Sequence, residues 1–182
     1  MRFRKYLAVL AAIVLLGVSA VADATTMLFL SREELVNRSD FVARVRVGKA
    51  ETAESEDGRG LVTRTELEIV QLLKGKAEGR VVVQQLGGTY RGKTQKVLGD
   101  GALKSGEDAV VFLRRDDKGK MYFTALALSV YHVDAKGMAE RKLDGVELVR
   151  YEGKKLAPSG HVERPESVES LMTDVVRLAG GK

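Results

Sequence analysis

The stretch Gly87-Gly88-Thr89-Tyr90-Arg91-Gly92-Lys93-Thr94 carries the residue types of a nucleotide-binding loop: glycines around a four-residue gap, then lysine and threonine. In that chemistry backbone amides cradle phosphates, the lysine meets the outer phosphates and the hydroxyl holds magnesium. Three physical objections refuse it here. A helix must begin at the lysine to complete the anion site, yet Gly99, Gly101 and Gly106 break any helix soon after it. The apolar run Ala109 to Leu113 ends in Arg114-Arg115 and not in a magnesium-binding aspartate. The N-terminal residues point to export, where ATP is scarce. The expectation is no nucleotide and no cofactor. A milder chemistry remains, in which Tyr90, Arg91, Lys93, Lys96 and Lys104 form a basic contact loop for an anion or a partner. Against it stands a plain solvated loop, the usual state of such a charge run.

Other chemistry is sparse. His132 falls in an apolar stretch, where a structural role is expected, and His161 falls in a Gly/Pro loop, where exposure is expected. Neither sits in a His-x-x-x-His spacing. The chain has no cysteine, which removes thiolate metal sites, thiol nucleophiles and disulfides together. Ser159-Gly160-His161 lacks the strand-turn-helix setting of a nucleophile elbow. Asp116-Asp117 lies in a turn, and the acidic residues Glu51, Glu54, Glu56 and Asp57 lack calcium-loop spacing. The expectation is no catalytic and no metal residue.

The elements that would position these residues are mostly strands. Ser31-Arg32-Glu33-Glu34 is a capping box, predicting a short helix to about Arg38. From Phe41 to Val47 the residues alternate, with Phe41, Ala43, Val45 and Val47 toward a core and Val42, Arg44 and Arg46 away from it. Glu51 to Gly60 reads as a hairpin loop. From Leu61 a second strand begins, with Thr63, Thr65, Leu67 and Ile69 on one face; the apolar parity then passes to Val70 and Leu72, predicting a bulge near Ile69–Val70. A register with Val45 opposite Leu67 sets Arg46 against Glu66 and Arg44 against Glu68. Further strands are expected over Arg80 to Leu86, Asp108 to Leu113 and Met121 to Leu126, with a long glycine-rich basic loop from Gly87 to Gly106. Asp144-Gly145, between Ala139–Leu143 and Val146–Val149, is the strongest two-residue hairpin signal. Ser167 caps a last helix striped by Val168, Leu171, Met172, Val175, Val176 and Leu178.

Composition bounds the rest. The 182 residues, 45% hydrophobic and 30% charged, suit one domain with a core of its own. Arg2, Arg4 and Lys5, the apolar run Leu7 to Val18, and Ala22-Asp23-Ala24 together read as a signal peptide over residues 1–24. The alternative is an uncleaved anchor helix, although the run is short for a bilayer. Residues 25–182 then carry 27 basic and 24 acidic side chains, net +3. That balance gives no charge-based reason to expect nucleic-acid binding. The expected fold is a mainly β domain, a small barrel or sandwich, with a short N-terminal helix and a C-terminal helix. The expected location is exported, periplasmic or extracellular, without stable membrane insertion once the signal is removed.

Several of these residues also carry a family resemblance: Ser39-Asp40-Phe41-Val42 leading to Gly48-Lys49, Leu73-Lys74-Gly75, Val81-Val82-Val83 with Gly87-Gly88, and Ser105-Gly106-Glu107 before Val110-Val111-Phe112-Leu113. From Ser39 to about Leu126 the chain resembles a secreted bacterial branch of the netrin-like, or tissue-inhibitor-of-metalloproteinase-like, domains. The resemblance implies an OB-type barrel and an extracytoplasmic binding role. The animal inhibitors chelate a protease zinc through an N-terminal cysteine; with no cysteine here, that device does not carry over. The functional expectation is a non-enzymatic, exported binding module, its partner an envelope or secreted protein, with a protease among the candidates. The alternatives are a structural accessory protein of the envelope or matrix, and a hydrolase with an unrecognised active site.

Overall fold

The computed structural model describes residues 25–180, so the expected signal peptide lies outside the described residues. The chain runs β1 (Thr25–Leu28), α1 (Arg32–Arg38), β2 (Phe41–Glu54), β3 (Leu61–Lys74), β4 (Arg80–Leu86), β5 (Gly88–Tyr90), β6 (Lys93–Gln95), β7 (Asp108–Arg115) and β8 (Met121–Phe123). A 3-10 turn (Leu126–Ser129) follows, then β9 (Val130–Val133), β10 (Met138–Glu140), β11 (Val146–Glu152), β12 (Lys155–Pro158), β13 (Glu166–Ser167) and α2 (Val168–Gly180). The fold is mainly β, with one helix near the N-terminus and one at the C-terminus, as expected. Among the described residues no helix is long and apolar enough to cross a membrane.

The main sheet has the order β13-β10-β9-β7-β2-β3-β4-β8, and β8 also pairs with β7. Strands β2, β3, β4, β8 and β7 therefore close into a ring. Every pairing in it is antiparallel except β4 with β8, which is parallel and bridged at Val83–Met121. Phe41, Ala43, Val45 and Val47 point inward with Leu67, Val83, Val111, Leu113 and Phe123. The opposite face of β2 and β7 is buried too. Val42, Val110 and Phe112 pack beneath α1 and α2 against Leu35, Val36, Leu171 and Val175. This two-sided burial explains the unbroken apolar run in β7.

Both helices begin as the sequence indicates. Ser31 Oγ accepts from the Glu34 amide at 3.2 Å, and Glu34 Oε2 accepts from the Ser31 amide at 2.8 Å. The other end of α1 is held by Lys74, whose Nζ donates to the carbonyls of Val36 and Ser39 at 2.6 and 2.7 Å. In α2, Ser167 Oγ accepts from the Ser170 amide at 3.2 Å. Val168, Leu171, Met172 and Val175 are buried, while Val176 faces solvent.

The structure corrects several expectations. β2 runs through Glu51–Glu54 because these residues pair with Leu61–Arg64, so the turn shrinks to about Ser55–Gly60. The β2–β3 register places Val45 opposite Ile69, Val47 opposite Leu67 and Arg46 opposite Glu68. This is two residues away from the expected one at Val45 and preserves which face each side chain takes. The bulge falls at Val70, as expected, but Val70 and Leu72 turn to solvent; a second shift makes Leu73 the buried residue. β8 stops at Phe123, giving way to the 3-10 turn. Asp144-Gly145 does form a turn, with the Val146 amide donating to Leu143 O at 3.0 Å, but no hairpin follows. β10 stays in the main sheet, whereas β11 joins a separate sheet of order β1-β11-β12, parallel to β1.

Candidate functional site

The basic loop contains a hairpin. Gly87 and Gly88 both take positive φ (92° and 126°), and a Cβ on Gly88 would lie 2.3 Å from Thr63 Oγ1 and 2.6 Å from Thr52 Cγ2. The glycine pair thus lets β5 and β6 fold onto the far end of the β2–β3 hairpin. Arg91 and Gly92 form its two-residue turn, both at positive φ (47° and 77°). Thr94 Oγ1 lies 3.0 Å from Thr89 Oγ1 across the pair. Lys93 begins a strand here, where a phosphate-binding loop needs a helix. Each motif residue type therefore has a place in the hairpin's own geometry.

The five expected contact residues are not gathered at one place. The Arg91 guanidinium stacks over the Tyr90 ring at 5.1 Å, and Lys93 and Lys96 are exposed on and just after β6. Lys104 sits elsewhere, beside the middle of β2: its amide donates to Glu107 Oε1 at 2.7 Å, and Gly106 bonds to Val47.

A larger surface feature borders the hairpin. The outer face of β3 and β4 forms the floor of a cavity of about 440 Å³, with Val62, Arg64, Gln84 and Leu86 in it and the Ser55–Gly60 turn along one side. A second cavity of about 350 Å³ shares Arg64, Gln84 and Lys120 with the first and continues to Val82 and Arg115. A third, of about 270 Å³, shares Arg59, Gly60 and Gln95 and reaches Lys93 and Thr94. Shared walls make the three one continuous trough. Leu86 and Val82 are 62% and 46% exposed in it, an apolar strip that water covers at a cost.

Charge in the trough is uneven. Arg59, Arg64, Lys93, Arg115 and Lys120 line it against Glu54, Glu56 and Asp57. Glu56 reaches across from the β2–β3 turn, its Oε1 lying 2.8 Å from Lys120 Nζ and 3.7 Å from Arg64 Nη2. The Lys120 hydrogen bond holds the Glu56 carboxyl below its usual range, and Glu56 in turn raises Lys120. Asp57 is also lowered, by the Ser55 hydroxyl and the Arg59 amide that shape the turn. Arg59, Lys93 and Arg115 make no ion pair among the described residues. The arrangement can bind; Ser55 Oγ, which donates to Asp57 Oδ1 at 2.6 Å, serves the geometry of the turn.

A second cluster went unread in the sequence. His132 Nδ1 lies 3.4 Å from Glu107 Oε2, and both line a cleft of about 220 Å³ with Glu140 and Lys142. Burial pushes the imidazole below its ordinary value and Lys142 adds to this, with Glu107 opposing. No serine, threonine, tyrosine or cysteine lines that cleft, so a hydroxyl or thiol nucleophile is missing from its walls. The pairing of residues 25 positions apart left no local signal to read. His161 stacks on Phe29 at 4.6 Å and its Nε2 lies 2.9 Å from Glu163 Oε2. Its role is structural contact, at an exposed position as expected. Among the described residues no group of three or more histidine or carboxylate side chains converges as a metal site would require.

Comparison of the sequence with known protein families and with curated proteins finds no match.

Proposed function

We propose that this chain is an exported, non-enzymatic interaction module that binds another envelope or secreted protein, a protease among the classes of partner, through the trough on β3 and β4. The single observation behind the reading is that trough: three adjoining cavities, an exposed apolar floor and cations without partners, on a face built of rigid strands. The ring architecture supports an OB-like barrel and, with it, the netrin-like kinship. The five ring strands fall at Phe41 to Phe123, inside the stretch from Ser39 to Leu126 that carries the resemblance. The strands after it, with α2, are additions outside that stretch. The expected contact loop takes part through Lys93, at one end of the trough.

The test is capture from envelope and secreted extracts of the native organism on immobilised protein, run beside the Leu86→Asp and His132→Ala variants. A protein retained by the parent and by His132→Ala, and lost with Leu86→Asp, is the expected result. Retention indifferent to Leu86→Asp would move the site elsewhere and sink this reading.

A further inference from the structure

A carboxylate of the chain itself already bridges two cations of the trough. Glu56 projects from the exposed Ser55–Gly60 turn, its side chain 69% exposed, and spans to two cations on different elements, Lys120 after the β7–β8 turn and Arg64 on β3. An ion pair this exposed contributes little to folding. Two cations therefore share a single acid that is readily displaced. The side chains of Arg59 and Lys93 toward one end, and of Arg115 toward the other, make no ion pair among the described residues. Between them Val82, Gln84 and Leu86 point outward from alternate positions of β4, apolar-polar-apolar. Alternate residues of a strand repeat every ~6.6–6.8 Å, the spacing at which an extended peptide also presents every second side chain.

We infer that the trough receives an acidic, extended segment of the partner protein, one of whose carboxylates takes the place Glu56 holds between Lys120 and Arg64. The inference rests on the interaction-module reading and sharpens it. Glu56 is then an internal competitor, which the ligand must displace. Charge complementarity chooses the occupant: the cations without partners are met by acids on the peptide, and its apolar side chains cover Val82 and Leu86. Nucleic acid fits less well. No aromatic side chain lines the trough to stack a base, and Glu54 and Asp57 stand on its rim.

The experiment pans a random dodecapeptide display library on the full chain, then titrates synthetic copies of the enriched peptides by fluorescence anisotropy. The same peptides are titrated against Leu86→Asp, Lys120→Ala and Glu56→Gln, and an oligothymidylate serves as the nucleic-acid probe. Enriched peptides are expected to be rich in Asp and Glu, and to bind less tightly as salt rises. Lys120→Ala is expected to weaken them about tenfold, and Glu56→Gln to tighten them about threefold or more, because the competing carboxylate is gone. Tightening is the diagnostic sign: a Glu56 that only shaped the turn would weaken binding or leave it unchanged when replaced. Peptides lost with Leu86→Asp, yet without acidic bias and without response to Glu56→Gln, would overturn the acidic-segment inference and leave the interaction module standing. An absence of any peptide sensitive to Leu86→Asp would overturn both. Tighter binding of the oligothymidylate than of any peptide, lost with Lys120→Ala, would replace the protein partner by a nucleic acid.

Discussion

His132 shows how one side chain can couple this fold to pH. Its ring is only 10% exposed and sits between β7 and β10, opposite Ala109 on one side and Glu140 on the other. Glu107 favours the charged form; burial, Lys142 and Lys104 disfavour it more, so the folded protein takes up the proton at lower pH than a free histidine. The unfolded chain then binds more protons in the window between the lowered folded value and the ordinary 6.5. Stability rises with pH wherever the unfolded state binds more protons. Unfolding free energy is therefore flat above the ordinary histidine value, falls as pH drops through that window, and flattens again below the folded value. The slope contributed by one proton is at most about 1.4 kcal/mol per pH unit. Urea unfolding between pH 8 and about 5 should show this loss, and His132→Gln should remove it. An identical slope in the variant would assign the effect to another group.

At the scale of the element, α2 is a piece whose removal the domain would feel. Leu171 and Val175 are fully buried against Leu35, Val42 and Phe112, so the helix closes the core on the outer face of the ring. Leu171→Ala is expected to cost about 2–5 kcal/mol, the range for a buried leucine whose site collapses only in part. Thermal unfolding measures it; a loss below about 1 kcal/mol would mean the helix packs loosely. This stripe was legible because its signal is local: a serine cap, then apolar residues at helical spacing. The capping box of α1, the limits of β4 and the bulge at Val70 were legible for the same reason. Pairing was not. A two-residue slip between β2 and β3 leaves every side chain on its face, so alternation alone could not choose. The charges misled, because Arg44 pairs at 2.6 Å with Asp108 of β7, a third strand outside the two-strand comparison. The partner of β11 was hidden too, since β1 lies at the other end of the described chain. The trough had no signature at all: Glu56 and Lys120 are 64 positions apart and each sits in an ordinary polar turn.

At the scale of the molecule, the question is what fixes the small β1-β11-β12 sheet to the body. The answer centres on Arg141, just past β10, whose side chain is 4% exposed. Its guanidinium lies 5.0 Å from the Tyr131 ring centre and donates to Glu163 Oε2 from Nε at 2.9 Å and from Nη2 at 2.5 Å. The ring face also explains how Nη1 stays buried without a hydrogen-bond partner. His161, from the same loop as Glu163, carries the contact on to Phe29 behind β1. Beside it Arg32 joins Glu166 and Asp174, tying α1 to β13 and α2. Segments from the two ends and the middle of the described chain thus meet around Tyr131. Burial alone would raise the Glu163 carboxyl, but the hydrogen bonds from Arg141 and His161 outweigh it and hold the carboxyl below its ordinary range. Its contribution is present above the unfolded carboxyl value and is lost as pH falls through the folded one. Removing one partner of a buried pair strands the other, so Glu163→Ala should destabilise by about 3–5 kcal/mol. Replacing both, with Arg141→Met and Glu163→Leu, should recover most of that loss, since apolar packing can stand in for a buried ion pair. Chemical denaturation of the two variants beside the parent decides the matter. If the double variant falls as far as the single one, Arg141 is held by more than Glu163. The Tyr131 ring, through Tyr131→Leu, is then the contact to remove next.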